Sequence, residues 1–563
     1  MKKTIIMMLA VLAVSCAKPQ PQAFQVIPMP ADVTVTDGAF CVKGVAVAVD
    51  SALDELSQKA VGRFVSALET ATGAKTKSGE GGISFVLNAS LAPEQYTINV
   101  KADGAVVEAS ALNGFVYACE TLKQMLPAAI YGTTKAKADW VLPYCSIQDQ
   151  PRFAYRGMHL DPCRHFWTIE ETKRYIDVMT AYKLNRFHWH LTEDQGWRME
   201  IKAYPKLTEI GAWRNGTVIK KDWNSNDGIR YGGYYTKEEM KEIVAYAAER
   251  GITVIPEIDL PGHMVAALAA YPELGCTGGP YEVWTRWGVA PDILCAGNED
   301  VYKFLEAVLT EAMDIFPSEY IHIGGDEAFN EEMGIPWDHC PKCAAKMREL
   351  GIKKGPMAKH YLQNYVTARM QAFLNQHGRK IIGWDEVLEG NLAPGATVMS
   401  WRGVKGGIEA ANKGFDAIMT PNSYLYFDYY QGQERDKEPF GIGGYLPVEK
   451  VYSYEPFDGL TPAAQKHILG VQANLWTEYI LTPEHLEYML LPRMCALSEV
   501  QWCAADKKDY ARFDASLDHT FAILDAMGMN YSLDCRGLIG LDRQPARTPE
   551  QLEEYLAKKD WAW

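Results

Sequence analysis

The sequence predicts an α/β protein in which a (β/α)8 TIM barrel is preceded by a small α+β domain. Between residues 149 and 503, eight short apolar runs alternate with stretches of helical periodicity, which is typical of parallel α/β architecture. Residues 24–148 instead alternate apolar and polar side chains in the manner of half-buried strands. A chain of 563 residues is also too long for one ordinary core, so more than one domain is expected.

The first sixteen residues are predicted to be a targeting segment rather than part of the fold. Lys2 and Lys3 form a positively charged start, an apolar stretch covers residues 5–14, and small residues precede Cys16. This ending resembles a bacterial lipobox, whose cysteine becomes the lipidated first residue of the mature chain. A plain secretory signal with an incidental cysteine is the alternative. We therefore expect an exported lipoprotein, anchored through Cys16 to the outer membrane and facing either the periplasm or the cell surface.

Residues 24–148 are predicted to form the α+β domain. Strand-like alternation is clearest over residues 96–100 and 104–109, and turn residues separate such segments. Helical spacing over residues 53–70 and 114–125 adds two helices. Residues 143–151 contain two prolines and are interpreted as the exit from this domain.

The eight apolar runs from residue 149 to residue 503 are the predicted barrel strands. They cover residues 156–161, 184–191, 252–257, 320–324, 380–384, 397–401, 415–419 and 468–472. Beyond them, residues 504–563 are more polar and helical, and we expect a helix over residues 510–527 to pack outside the barrel.

Net charge and aromatic content indicate which kinds of molecule the protein can bind. The formal net charge of −15 argues against nucleic acid, whose phosphates require a basic surface. Fifteen tryptophans and thirty tyrosines are compatible with sugar binding, although a large core also uses such side chains.

The cysteines predict no metal site. Removal of the targeting segment would leave eleven cysteines besides Cys16, an odd number, so at least one is unpaired unless it links two chains. Cys340 and Cys343 have metal-type spacing, but no second cysteine pair is close in the sequence, which favours a loop disulfide or free thiols over zinc. Cys276 and Cys295 could staple one long loop.

The ends of the predicted strands carry most of the polar chemistry. Active sites of such barrels lie at the carboxyl ends of the strands. Acidic, basic and aromatic side chains follow the runs in order: Asp161, Arg164, Glu193, Asp194, Glu257, Asp259, His263, Asp326, Glu327, Trp384, Asp385, Glu386, Trp401, Arg402, Tyr426, Asp428, Trp476 and Glu478.

The segment from His322 to Glu327 is the most informative of these ends. Two glycines allow a tight turn, and the adjacent carboxylates of Asp326 and Glu327 follow at the mouth of the barrel. A glycosidase needs a protonated acid for the leaving oxygen and a second group for the anomeric carbon. The alternative is that the two acids cap a following helix.

This segment is similar to the His-x-Gly-Gly-Asp-Glu signature of family 20 glycoside hydrolases. Further similar motifs occur in the family's order over nearly the whole mature chain, at residues 156–166, 183–198, 256–263, 383–386, 400–403 and 474–478. Residues 114–122 resemble part of the family's noncatalytic α+β domain. The resemblance implies a retaining exo-β-N-acetylhexosaminidase that acts on glycans with terminal N-acetylhexosamine, without metal or other cofactor.

The resemblance also implies a role for each matching residue. The family uses the substrate's acetamido oxygen as nucleophile, an exception to the two-carboxylate scheme. Glu327 would be the general acid and base, Asp326 would hold the acetamido group, and Tyr426 would donate a hydrogen bond to its oxygen. Trp384, Trp401 and Trp476 would wall the pocket, with ordinary core packing as the alternative for each.

The remaining matching residues would bind the sugar ring or support Glu327. Arg164, Asp428 and Glu478 would bind ring hydroxyls, although Arg164 has Asp161 nearby as an alternative ion-pair partner. Glu193 and His263 would tune Glu327, with Glu193 standing where many relatives carry aspartate. Two other functions compete with this one. The chain could be a relative that releases disaccharides or prefers sulfated sugars, or it could be a glycan-binding lipoprotein without catalytic activity.

Overall fold

The structure is a computed structural model that describes residues 24–537, apart from residues 80, 330 and 391. The predicted targeting segment and Cys16 lie outside the described residues, as does the chain beyond residue 537. Among the described residues, no helix is both long and apolar enough to cross a membrane.

A seven-stranded mixed sheet forms the N-terminal domain. Its strands lie side by side in the order β1-β7-β5-β6-β4-β2-β3. The strands are β1 (Asp32–Cys41), β2 (Ala46–Val49), β3 (Lys77–Ser78), β4 (Ile83–Leu87), β5 (Tyr96–Lys101), β6 (Gly104–Ala109) and β7 (Val141–Asp149). β7 pairs with both β1 and β5, so the residues interpreted as an exit, 143–149, belong to the sheet itself.

Two helices cover one face of this sheet, as the helical spacing predicted. They are α1 (Glu55–Thr72) and α2 (Leu112–Gln124). α1 begins where the Asp54 side chain accepts a hydrogen bond from the Ser57 N–H, and it ends at Gly73, whose φ of 64° suits a residue without Cβ. Phe64 and Leu68 of α1 are buried against the sheet.

The second domain contains a closed barrel of eight parallel strands. The strands after β7 are β8 (Tyr155–Leu160), β9 (Arg186–His190), β10 (Thr192–Glu193), β11 (Gly196–Trp197), β12 (Trp213–Asn215), β13 (Arg230–Gly232), β14 (Thr253–Glu257), β15 (Tyr320–His322), β16 (Lys380–Trp384), β17 (Thr397–Ser400), β18 (Asp416–Met419) and β19 (Ile468–Ala473). β8, β9 and β14 to β19 make the barrel, which closes between β19 and β8. All eight predicted strands and the predicted fold class are confirmed.

Helices connect and surround these strands. They are α3 (Ile169–Ala181), α4 (Lys206–Glu209), α5 (Lys237–Ala248), α6 (Val265–Ala270), α7 (Glu299–Ile315), α8 (Pro336–His339), α9 (Pro341–Glu349), α10 (Ala358–Gln376), α11 (Lys405–Asn412), α12 (Asn422–Leu425), α13 (Val448–Ser453), α14 (Pro462–Gln465), α15 (Pro483–Leu490), α16 (Arg493–Trp502) and α17 (Tyr510–Ala526). α3 and α5 both begin with a capping box, which fixes where each helix starts. α17 confirms the helix predicted over residues 510–527.

Apolar side chains fill the barrel interior, so the barrel is a packed core and not a channel. Tyr155, Ile255, Ile382, Met399 and Ile418 are all almost fully buried in one cluster. A ligand must therefore bind above this cluster, at the carboxyl ends of the strands.

A buried polar contact joins the two domains. Lys183, just before β9, lies with its Nζ 3.2 Å from Asp149 Oδ2, and both side chains are fully buried. Lys183 also donates a hydrogen bond to the Tyr96 hydroxyl at 2.9 Å. The Trp502 indole N–H donates to the other oxygen of Asp149 at 2.9 Å, so strands of the sheet and a helix of the barrel meet at one carboxylate.

Candidate active site

The turn after β15 places two adjacent carboxyl groups at the mouth of the barrel. Gly324 and Gly325 have φ values of 60° and 102°, and a Cβ on Gly324 would lie 1.7 Å from Asp259 Oδ1. Glu327 itself has a φ of 45°, which is uncommon for a residue with a side chain and often marks functional sites. The next helix, α8, begins only at Pro336, so the alternative that Asp326 and Glu327 cap a following helix is wrong.

His263 lies between this carboxyl pair and a second pair of acids. Its Nδ1 is 2.7 Å from Glu193 Oε1 and 3.5 Å from Asp194 Oδ2. Its Nε2 is 3.7 Å from Asp326 Oδ2 and 3.8 Å from Glu327 Oε2. Burial disfavours the imidazolium, but the carboxylates of Glu193 and Asp326 outweigh burial and raise the pKa of His263 well above its usual value. Glu193 thus reaches His263, as expected from its longer side chain.

The surroundings of Glu327 favour the protonated form of its carboxyl group. Its side chain is 44% exposed at the open mouth. Desolvation by the surrounding walls raises the pKa of Glu327, and the Asp326 carboxylate acts in the same direction, while His263 and Arg164 oppose both. A carboxyl group that stays protonated near neutral pH can act as a general acid.

Asp326 is more enclosed than Glu327. Its side chain is 12% exposed, and within the described part of the chain its Oδ1 has no hydrogen-bond partner. Desolvation raises the pKa of Asp326, whereas the charge of His263 lowers it. Its Oδ1 can therefore accept a hydrogen bond from a ligand N–H.

Arg164 connects several of the acids. Its Nη1 is 3.1 Å from Asp161 Oδ2, and its Nη2 is 3.0 Å from Glu193 Oε2. The ion pair with Asp161, considered as an alternative from the sequence, is therefore present. Arg164 Nη1 also lies 4.0 Å from Glu478 Oε1, so the same guanidinium reaches the pocket.

Two further carboxyl groups each have a buried oxygen atom without a partner. Asp428 Oδ1 and Glu478 Oε2 have no hydrogen-bond partner among the residues that the structure describes. Burial raises the pKa of Asp428 well above its usual value and also raises the pKa of Glu478. Buried acceptors of this kind suit the hydroxyl groups of a sugar, because each unpaired group costs free energy until a ligand donates to it.

Aromatic side chains enclose the space above the acids. The rings of Trp384 and Trp476 have centroids 6.0 Å apart, and the Arg164 guanidinium lies 5.1 Å from the Trp476 ring. Trp401 stacks on Tyr426 with centroids 6.2 Å apart and an interplanar angle of 23°. Desolvation raises the pKa of Tyr426 well above its usual value, so its hydroxyl remains a hydrogen-bond donor.

A buried glutamate supports the floor of this space. Glu257 is fully buried, with His188 Nε2 and His322 Nδ1 each 3.0 Å from its carboxylate oxygens. The Trp384 indole N–H donates to Glu257 Oε1 at 2.8 Å. Burial alone would raise the pKa of Glu257, but the surrounding histidines, His322 foremost, hold it well below its usual value. Glu257 thereby fixes the orientation of Trp384.

The structure brings all eleven sequence-predicted site residues to this end of the barrel. Sequence reasoning missed Gln195, whose Oε1 accepts a hydrogen bond from Arg164 Nε at 2.9 Å. It also gave no role to Glu386, whose Oε2 accepts from the Trp401 indole N–H at 3.0 Å. Both residues lie within a few positions of the end of a barrel strand, and that position is the sequence feature that could have identified them.

The cysteine interpretation needs a correction. Cys276 and Cys295 lie beside Cys340 and Cys343, so a second cysteine pair is near the first in space although remote in sequence. None of the eleven described cysteines forms a disulfide bond, including Cys276 with Cys295.

Comparison with known proteins shows the same two-domain arrangement. The model of the catalytic domain of glycosyl hydrolase family 20 matches residues 153–505, and that of domain 2 of the family matches residues 23–150. The chain is similar to a mutant Streptomyces plicatus β-hexosaminidase in complex with its product, GlcNAc, with a TM-score of 0.80 and 30% identity, covering 92% of this chain and 97% of the other.

Two relatives illustrate the range of similarity. A β-hexosaminidase of Porphyromonas gingivalis is 45% identical over 445 residues, which are 79% of this chain but only 55% of that relative. A β-N-acetylhexosaminidase of Cellulomonas fimi is 30% identical over 519 residues, covering 90% of this chain and 95% of the relative. With two family models matched end to end, this chain belongs to glycosyl hydrolase family 20 and carries both its catalytic domain and its domain 2.

Proposed function

We propose that this chain is a retaining exo-β-N-acetylhexosaminidase, which removes terminal β-linked N-acetylglucosamine or N-acetylgalactosamine from the nonreducing ends of glycans. The observation that carries this proposal is the adjacent pair of carboxyl groups inside an aromatic pocket: Glu327, whose pKa is raised by desolvation, and Asp326, which has an unpartnered oxygen. The names of the relatives support the same substrate class.

The proposed reaction has two steps. Glu327 donates its proton to the glycosidic oxygen while the acetamido oxygen of the substrate attacks the anomeric carbon, which releases the leaving sugar and forms an oxazolinium ion. Asp326 accepts a hydrogen bond from the acetamido N–H and stabilises the positive charge. Glu327 then takes a proton from water, which attacks the anomeric carbon on the face that the leaving sugar left, while the bond from the acetamido oxygen to that carbon breaks and the acetamido group re-forms. Two successive inversions give net retention.

Tyr426 and the tryptophans hold the acetamido group in place for this attack. The Tyr426 hydroxyl donates to the acetamido oxygen, and Trp384 and Trp476 enclose the methyl group and the ring. Such positioning can supply a large part of the rate, because it replaces an encounter in solution with a fixed geometry.

Charge in the pocket favours a neutral amino sugar over a sulfated one. Arg164 is already surrounded by Asp161, Glu193 and Glu478, so it offers no free positive charge to a sulfate. Asp428, which is buried, and Glu478, which is half-buried, add acidic groups near it. Their acceptor oxygens suit hydroxyl donors of a single terminal sugar, which favours exo action on monosaccharides over release of a disaccharide.

The first test compares aryl β-N-acetylglucosaminide, aryl β-N-acetylgalactosaminide and aryl β-glucoside with the wild type and with Glu327→Gln. We expect hydrolysis of the acetamido sugars only, and a loss of about 10²- to 10⁴-fold in kcat for the variant. Equal hydrolysis of the glucoside would remove the acetamido nucleophile from the mechanism. No turnover of any substrate would favour the catalytically silent glycan-binding alternative.

A second test addresses the nucleophile directly. Replacing the acetyl group of the substrate by mono-, di- and trifluoroacetyl groups weakens the acetamido oxygen stepwise, so kcat should fall with each fluorine. Proton NMR at early times should show the β-anomer of the released sugar. An α-anomer as first product would contradict retention.

We further propose that the chain is an exported lipoprotein anchored through Cys16. The supporting observations are the charged start, the apolar stretch and the small residues before Cys16. Cys16→Ser should move the protein from the membrane fraction to the soluble fraction and abolish labelling by a radioactive fatty acid, with Cys41→Ser as control. Protease treatment of intact cells then distinguishes a periplasmic from a surface-facing anchor.

A further inference from the structure

Four cysteine side chains form a cluster apart from the catalytic groups. Cys276 and Cys295 lie in the long connection between β14 and α7, and Cys340 and Cys343 lie at the start of α9. Their sulfur atoms all lie within 4.8 Å of one another. Cys295, Cys340 and Cys343 are buried, whereas Cys276 is half-buried.

The distances between the sulfurs fit a single metal ion. Cys276 Sγ is 3.8 Å from Cys343 Sγ, and Cys295 Sγ is 3.6 Å from Cys340 Sγ and 3.7 Å from Cys343 Sγ. A tetrahedral ion with metal–sulfur bonds of about 2.3 Å separates its sulfurs by about 3.8 Å. A disulfide would hold two of them at about 2.05 Å. An iron–sulfur cluster binds its cysteines through different iron atoms, which keeps them farther apart.

We propose that Cys276, Cys295, Cys340 and Cys343 together bind one zinc ion in a tetrahedral site made of four thiolates. Four thiolates select zinc over magnesium or calcium, which prefer oxygen ligands. The site lacks an open coordination position, which is typical of a structural and not a catalytic zinc.

The local backbone is built to bring these cysteines together. Gly275 and Leu294 form an antiparallel bridge, and the Cys295 N–H donates to the Leu274 carbonyl at 2.9 Å, which holds Cys276 near Cys295. On the other side, Cys340 is the residue that caps α9, and Cys343 lies in its first turn. The spacing of two residues between Cys340 and Cys343 is that of a zinc-binding turn.

Gly297 lets these two segments approach each other. A Cβ on Gly297 would lie 2.2 Å from the carbonyl carbon of Lys342, inside the turn between Cys340 and Cys343. Any larger residue would push the segments apart. This close backbone contact is independent of the sulfur positions, and it supports a site assembled from both loops.

Metal binding requires ionised cysteines, and the position of two of the four relative to a helix suits that charge. Cys340 and Cys343 stand at the amino end of a helix, whose dipole stabilises negative charge.

Zinc at this position would fasten two loops that border the active site. The loop between Cys276 and Cys295 supports residues around Arg164. The backbone N–H of Trp284 donates to the Asp194 carbonyl at 3.0 Å, and Gln195 Nε2 donates to the Arg286 carbonyl at 2.8 Å. The loop that carries Cys340 and Cys343 starts directly after Glu327. Loss of the ion should therefore lower thermal stability and raise KM more than it lowers kcat.

The test is the metal content of the full chain, purified without a metal-affinity tag and alkylated at lysis. We expect about one zinc per chain in the wild type and in the control Cys535→Ser, and no zinc in Cys340→Ser/Cys343→Ser. Cobalt should replace zinc in the wild type and give the intense visible absorption of a tetrahedral thiolate site. Iron in place of zinc, or zinc that survives the double substitution, would overturn the assignment.

A second measurement on the wild type covers the case in which the double variant does not fold. Titration with an organomercurial that blocks thiols should release zinc to a colorimetric chelator, in proportion to the four cysteines modified. Peptide mapping without reduction must show these cysteines alkylated only after the zinc is removed. Disulfide-linked peptides among the four, with no zinc released, would instead establish two disulfide bonds and refute the proposal.

Discussion

At the scale of single residues, His263 is one of the charged groups that determine the pKa of Glu327. Its Nε2 lies 3.8 Å from Glu327 Oε2, and its positive charge lowers the pKa of Glu327, as Arg164 also does. Desolvation raises that pKa most strongly, and the carboxylates of Asp326 and Glu193 raise it as well. The pKa of Glu327 therefore depends on desolvation and on opposing charges, and removing one of these charges should move the pH at which activity is lost.

The substitution His263→Gln tests this balance. Glu327 must be protonated to act as an acid, so kcat/KM is lost as the pH rises through its pKa. Without the imidazolium that pKa rises further, and the alkaline limb of kcat/KM should move up by about one to two pH units, while kcat itself falls. His377→Gln, at an exposed helix end, should leave the limb in place. If the alkaline limb of His263→Gln moved down or stayed in place, His263 would not lower the pKa of Glu327.

Tyr426 provides a separate test of how the acetamido group is held. Tyr426→Phe keeps the ring that stacks on Trp401 but removes the hydroxyl donor. We expect kcat to fall by about 10²- to 10³-fold with little change in KM, because the lost hydrogen bond acts mainly on the forming oxazolinium. Tyr429→Phe changes a neighbouring ring, 6.0 Å from that of Tyr426, and should have little effect. An equal loss in both variants would point to general disturbance of the loop.

At the scale of elements, the turn after β15 depends on glycine. Gly324 has a φ of 60°, and a Cβ there would overlap Asp259 Oδ1 at 1.7 Å. Gly324→Ala should cost about 1–2 kcal/mol from backbone strain and more from the overlap, and activity should fall because Asp326 and Glu327 move. Gly355→Ala is the control, since its Cβ would meet nothing within 4 Å. Activity in Gly324→Ala equal to that of the control would show that the turn tolerates a side chain.

The barrel strands were predictable because they are short apolar runs that end in polar residues. The predicted run over residues 380–384 coincides with β16, and the other runs differ from the strands by one or two residues at an end. The end of the first domain was harder to predict from the sequence, because Pro143 lies within β7, a paired strand. Proline usually marks an exit, but here it lies beside the irregularity between Thr36 and Ala39 of β1.

The site was predictable only in part. Strand ends identified where acids and tryptophans gather, and the family resemblance supplied a role for each. Local sequence could not reveal which loops meet, so it missed the contact of Gln195 with Arg164. For the same reason it treated Cys276 and Cys295 separately from Cys340 and Cys343, which are 45 or more residues further along the chain. Contacts between residues so far apart in the sequence depend on how the loops pack, which the periodicity of the sequence does not reveal.

At the scale of the whole molecule, the two domains depend on each other through buried charge. Lys183 and Asp149 are both fully buried, and the lysine is held further by the Tyr96 hydroxyl. Desolvation lowers the pKa of Lys183, and the carboxylate of Asp149 opposes that shift. Removing one partner would leave the other charge buried without compensation, so the domain interface should be sensitive to a single substitution.

Lys183→Met is the sharpest test of this dependence, because methionine keeps the apolar stem and removes only the charge. The Asp149 carboxylate would then lack its buried cation, and we expect the free energy of unfolding of the full chain to fall by about 3–5 kcal/mol, measured from the urea midpoint. Lys413→Met removes an exposed pair with Glu409, both about half-exposed, and should cost at most about 0.5 kcal/mol. Adding Asp149→Asn to Lys183→Met should restore part of the loss, because it removes the unpaired charge. If Lys183→Met cost no more than Lys413→Met, the buried pair would not be what holds the N-terminal sheet against the barrel.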